Sequence, residues 1–235
     1  MKKVIISVSL ALTFTSCATI QGLLSEPTVW ETVSALKEVL NTSAFRAIDK
    51  LAKLNQNGVE SIIPQEIKPV LSTLRTLGLG DEIDRMTKSI GDASEIALTE
   101  SKGLVSDAIK EVKFEDAAAV VMGGPDAATL VMKNAMYEAV KKRYSDRLNI
   151  ELDKTDVNKY WPMAQSAHNI FAKNKVEGSL SDFLAAKAVD GLFIAIGKEE
   201  AVIRQNPNEL GSTVVDKVFD YYNRQKQGNG SSLSF

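Results

Sequence analysis

From residue 29 onward, apolar residues recur at steps of three and four along almost the whole chain, and no stretch alternates apolar with polar positions. That period places apolar side chains on one face of an α-helix, so the pattern predicts an all-α fold. The most apolar stretch is Ser179 to Pro207, SLSDFLAAKAVDGLFIAIGKEEAVIRQNP. It reads as one helix over about 181–205 that is apolar on nearly every side, and a helix of that kind is the buried centre of a helical domain. Ser179 or Ser181 supplies an N-cap, Asp182 puts negative charge in the first turn, and Asn206-Pro207 supplies the stop.

Within that helix, Leu184, Ala188, Leu192, Ala195, Ile196 and Ile203 form a stripe, and Glu199 falls inside it. Glu199 is thus a candidate buried carboxylate. An unpaired ionised group there would be costly, so it should meet an Arg or Lys from another helix or hold a proton. Lys187, Asp190 and Arg204 lie on roughly the opposite side, and Glu200 precedes Arg204 by four residues, the favourable order for a helical ion pair. These four are expected to be partly exposed.

The other elements follow from the same spacing. Val29–Leu40 and Ala44–Leu54 read as a helical pair, with Asn41-Thr42-Ser43 as break and new cap and Asn57-Gly58 as the stop. Pro69–Leu77 ends at Gly78. Asp81 opens a long helix carrying Ile83, Met86, Ile90, Val105 and Ile109, which Gly91 and Gly103 can interrupt. Phe114–Met122 is a short helix; Gly123-Gly124 then make a tight corner, and Pro125 and Asp126 launch a helix to about Tyr144. Leu152–Phe171 has Asp153 or Thr155 as a cap and Pro162 as a kink or late start. Glu209 to Arg224 closes a single multi-helix, bundle-like domain over 29–224, and the Gly/Ser-rich residues 225–235 read as a disordered tail.

The first residues carry a different signal. Lys2 and Lys3 precede the apolar run VIISVSLALTF, and small residues follow directly before Cys17. Residues 1–16 thus read as a secretory signal, too short to remain as a membrane span. Phe14-Thr15-Ser16 before Cys17, the only cysteine, resembles a loose lipobox, so Cys17 is the expected site of lipid attachment. Residues 18–28 are then a tether reaching at most ~35–40 Å. No acidic cluster follows Cys17, which points to a periplasm-facing protein of the bacterial cell envelope, anchored to the outer membrane.

Charge narrows the partners. Removing the signal takes away two lysines, leaving 26 Lys and Arg against 30 Asp and Glu. A mildly acidic chain has no basic field for nucleic acid or anionic headgroups, so membrane attachment falls to the acyl chains. With no second cysteine there is no internal disulfide, and a domain of this length draws its stability from its core.

Candidate chemistry is sparse. Leu77-Gly78-Leu79-Gly80 is not a nucleotide loop, because Ile83 stands where a third glycine is needed and no strand precedes it. Amides beside Gly123-Gly124 could hold an anion, yet Asp126 already brings negative charge to that end, which favours a purely structural corner. His168, the single histidine, has no partner at metal-ligand spacing, and no G-x-S-x-G elbow is present. Neither a cofactor, a metal nor a catalytic residue is assigned. The candidate cluster, functional or structural, is Asp126, Asp190, Glu199, Glu200 and Arg204.

Three runs carry a resemblance: Leu77-Gly78-Leu79-Gly80-Asp81, then Gly123-Gly124-Pro125-Asp126-Ala127-Ala128-Thr129, then Ala188 to Phe193 with Glu199-Glu200 and Ile203-Arg204-Gln205-Asn206-Pro207. Together they resemble the pattern of a bacterial family catalogued as domain-of-unknown-function 4197, from about Leu36 to Phe219. The resemblance implies a helical, exported bacterial protein, often a lipoprotein, with no activity or site residue to carry over. Three functions are compatible with these readings: a non-enzymatic interaction or scaffold domain, a helical module binding an apolar small molecule or lipid, and an acid/base enzyme using its carboxylates. An exposed apolar patch, an enclosed cavity and two converging carboxylates would be their respective marks.

Overall fold

The structure, a computed structural model, describes residues 25–55, 63–173 and 175–230. The segment read as a signal, Cys17, the tether up to residue 24, the Asn57-Gly58 stop and residues 231–235 lie outside the described residues. Among the described residues, eight α-helices run in order: α1 (Val29–Asn55), α2 (Lys68–Thr76), α3 (Gly80–Glu111), α4 (Ala117–Met122), α5 (Ala127–Leu152), α6 (Val157–Phe171), α7 (Leu180–Gln205) and α8 (Thr213–Gly230). Short 3-10 turns at Gln65–Ile67 and Pro207–Leu210 complete the described elements, which include no strand. The fold is all-α.

Four long helices form the frame. α1 packs on α3, α3 on α5, α5 on α7 and α7 back on α1, so the four close a ring. Leu36, Leu40 and Ile48 of α1, Met86 of α3, Met132 and Leu152 of α5, and Leu192 and Ile196 of α7 are buried in the core. Outside the ring, α8 covers α1, α4 packs on both α1 and α8, and α2 packs with α6 beside α3. α7 makes its most extensive contacts with α5 and α1.

The ends of α7 follow the sequence closely. Ser179 is the N-cap, its hydroxyl accepting from the Asp182 amide at 3.1 Å, and the helix stops before Asn206 and Pro207. Its surface is less covered than the all-round apolar pattern predicts. Lys187, Ala188, Ile194, Lys198 and Val202 make an exposed strip along it, with Ile194 58% exposed. The apolar excess is explained by a buried arc wide enough to meet two neighbours, not by complete enclosure.

Several boundaries differ from the sequence reading, each for a physical reason. Asn41-Thr42-Ser43 does not break α1. Ser43 is buried with its hydroxyl donating to the Val39 carbonyl at 2.7 Å, so the residue that reads as a cap is satisfied one turn back within an unbroken helix. Gly91 and Gly103 likewise lie inside a continuous α3, where the buried face from Ile83 to Ile109 outweighs their weak propensity. α5 runs past Tyr144 to Leu152, and α6 starts only at Val157, with Pro162 in its second turn. α5 begins at Ala127, so Pro125 and Asp126 precede its first turn. α8 continues beyond Arg224 to Gly230.

The turn at Leu77–Gly80 is a helix stop, as its glycines predict. Gly78 has φ +88°, its amide donates to the Arg75 carbonyl at 3.0 Å and the Leu79 amide to Leu74 at 3.1 Å. That pairing closes the end of α2, and glycine is required because a side chain at that φ is strained.

Candidate functional site

At the C-terminal half of α7, three parts of the chain meet in a buried polar junction. The carboxylate of Glu200, fully buried, accepts from the Ala128 amide at 3.0 Å and from the Thr129 amide and hydroxyl at 2.7 and 2.5 Å. Arg204, one turn on, donates from Nε to the same carboxylate at 2.7 Å. Its two remaining nitrogens reach the carbonyls of Val121 and Val120 at 2.8 and 3.1 Å, and its guanidinium stands 5.5 Å from the Phe219 ring centroid.

The arrangement follows from helix polarity. The first amides of α5 lack helical partners and carry positive dipole, so they attract an anion; the last carbonyls of α4 attract a cation. The anion is the protein's own Glu200. Close approach is a precondition, and two glycines provide it. A Cβ on Gly197 would stand 3.1 Å from Asp126 Cβ, and one on Gly123 would stand 2.9 Å from Ala127 Cβ.

Four donors fill the four lone-pair positions of a carboxylate. Glu200 therefore has none left to take a proton from a substrate, and the junction holds helices together without doing acid/base work. The expectation that Glu200 is partly exposed is corrected here, whereas Arg204 keeps a slight exposure, its side chain being 9% exposed. The i,i+4 pair forms as the spacing indicates, but it faces inward because two helix ends supply what water would otherwise supply.

The other candidates are dispersed. Asp126 occupies the N-cap position of α5, makes no side-chain cap bond and packs against Gly197. Asp190 pairs with Lys133 of α5 at 3.2 Å near the surface. Burial first, and then the charge of Asp190, push the neighbouring Tyr137 hydroxyl above its usual range. Glu199 is buried and meets Lys50 of α1 at 2.5 Å, the interhelical cation expected for it, although the Lys50 side chain is 65% exposed. Asp126, Glu200 and Arg204 thus share one junction, whereas Asp190 and Glu199 form separate pairs. Among the described residues, no group of three or more His, Cys, Asp or Glu is placed to hold a metal ion.

The N-terminal half of α7 borders a different feature, a cleft of about 590 Å³ between α1, α3, α5 and α7. Leu51, Ile63, Ile90, Leu148, Leu184 and Leu192 supply much of its apolar wall, with Gly191 opening space where a side chain would stand. Glu66 and Lys187, also lining it, form an ion pair at 2.6 Å. Tyr144 lines it from α5. Sequence reading missed this cleft, because its residues come from four helices and a turn. Gly191 inside an apolar helix was the available sign, and Gly197 was the matching sign for the junction.

No helix among the described residues is long and apolar enough to cross a membrane. A family model described as a protein of unknown function (DUF4197) matches residues 26–220. No curated protein and no solved structure matches the chain.

Proposed function

We propose that this chain, which belongs to the DUF4197 family, is a non-enzymatic binding domain whose cleft takes an apolar small molecule or a lipid chain. The observation that carries this is the cleft itself. Its volume of about 590 Å³ lies within the usual range for small-molecule sites, and its lining is mostly aliphatic with a few polar groups. A well-packed interior holds few voids larger than a water molecule, so a space of this size within a helical ring is better suited to a guest than to the core.

The interaction or scaffold reading has less beneath it. The exposed large apolar residues are spread over α1, α4, α5, α6, α7 and the turn at Leu77, and scattered surface apolar residues are ordinary. The enzyme reading needs two free carboxylates in one cleft; Glu66 is the one carboxylate among the described residues of this cleft, and Lys187 neutralises it. Attachment through a lipidated Cys17 would hold the domain near the outer membrane, facing the periplasm, where apolar ligands are at hand.

The test is equilibrium binding of Nile red, an uncharged apolar fluorophore, to the purified chain. Saturable binding to one site is expected, lost in Gly191→Phe while the melting temperature holds. Absence of saturable binding, or binding indifferent to Gly191→Phe, would sink the proposal.

A further inference from the structure

Taking the cleft as a binding site, we infer that its ligand is an uncharged lipid, of the long-chain alcohol or acylglycerol class, and that ionised fatty acids are selected against. The charges and protons that the wall can offer set this preference.

Lys187 is the one cation lining the cleft among the described residues, and Glu66 holds its ammonium at 2.6 Å. The pair is neutral as a unit. A carboxylate entering beside it would meet Glu66 as well as Lys187, so at this half-exposed border it gains no net counter-charge. Deeper in the cleft it would lose water with nothing to replace it, which is unfavourable for an ionised group.

The buried hydroxyl of the wall points the same way. Ser101 donates its single hydrogen to the Ala97 carbonyl at 2.6 Å. In its 2.7 Å contact with Tyr144, Ser101 must therefore accept, and the Tyr144 hydroxyl is the donor. Tyr144 is left with lone pairs and no hydrogen. Burial raises its pKa, so it stays protonated and committed to Ser101. A ligand hydroxyl can donate to such an oxygen; a carboxylate, which only accepts, cannot. Ser94, the other hydroxyl lining the cleft, is neutral and adds no counter-charge.

The experiment is displacement of bound Nile red from the full chain at pH 8 by 1-dodecanol and by dodecanoate, chains of equal length that differ in charge. Dodecanol is expected to displace the dye at a concentration lower by about tenfold or more. Glu66→Gln should leave Lys187 unpaired and narrow that gap by raising dodecanoate affinity, with dodecanol little changed. Glu66 sits in a short surface turn, so its loss should not unfold the domain. Equal displacement by the two compounds, tighter binding of dodecanoate, displacement by neither, or an unchanged ratio in Glu66→Gln would overturn the inference. Failure of Nile red to bind at all would instead remove the binding reading on which it rests.

Discussion

The two halves of α7 solve opposite problems with the same residue types. Toward its C-terminus, Gly197 lets α5 come so close that the Glu200 carboxylate can enter the first turn of its neighbour. Toward its N-terminus, Gly191 faces open space, with nothing within 4 Å of where its Cβ would be. One glycine is there for contact and the other leaves room. The Glu200 carboxylate is enclosed by four donors, whereas Glu66 and Lys187 answer each other at the border of a cleft. The difference shows that a charged residue in a helical domain can be as structural as a leucine when helix ends supply its partners, and that apolar residues can frame a vacancy as readily as fill one.

The largest effect should come from dismantling the tight end. Glu200→Ala leaves Arg204, nearly shielded from water, without its anion and two α5 amides without an acceptor. It should cost about 3–5 kcal/mol, a drop in melting temperature of roughly 10 °C or more for a domain of this size. Adding Arg204→Met should restore part of that loss, because the second change removes the stranded charge. A loss under about 1 kcal/mol for Glu200→Ala would mean that the junction is open to water and the contrast is false.

Next in size is a paired substitution of the two glycines. Gly197→Leu forces side-chain volume against Asp126 and should destabilise by about 1–3 kcal/mol. Gly191→Leu enters space and gains helix propensity worth up to about 1 kcal/mol, so thermal denaturation should show it neutral or stabilising. Similar losses for both would show that the N-terminal half is as closely packed as the other.

Adjacent carboxylates sharpen the comparison further. Glu199→Gln should cost about 1 kcal/mol or less, since its partner Lys50 stays in water when released. A cost near that of Glu200→Ala would place Lys50 in the interior.

The smallest expected effect is acid loosening of the cleft end. Lys187 holds Glu66 below its ordinary value, and hydrogen bonds from Ser145 and Ser179 hold Asp182 below its own. For such groups stability is present above the unfolded values, 4.5 and 3.8, and is lost as pH falls through the lower folded values. Protection from hydrogen exchange, relative to the unstructured rate at the same pH, should therefore fall at amides 180–185 as pH drops below about 4. Unchanged protection there would show that these pairs do not couple to folding.

Much of this could be read without coordinates. Spacing placed α7 within a residue of its observed ends, because Ser179 and Asn206-Pro207 are local signals acting on their own backbone. It also found the Glu200–Arg204 step and the burial of Glu199. It misjudged where Glu200 faces, because Ala128 and Thr129 lie 72 and 71 positions away and no local period reports them. The same limit applies to α1: Ser43 looks like a cap in sequence, and only the packing around it shows a buried hydroxyl bonded one turn back. Cavities are harder still, since a void is a property of four helices and of none singly.

The Glu200 junction also bears on how the chain reaches its native state. When synthesis has passed α5 but not the end of α7, the first turn of α5 has bare amides, and the last carbonyls of α4 have no guanidinium. Contacts that span so much sequence are slow to close and add cooperativity once made. The domain should therefore resist division into fragments that fold alone at any point between Ala128 and Arg204. A nascent chain lacking α7 should remain a chaperone client until its last helices emerge.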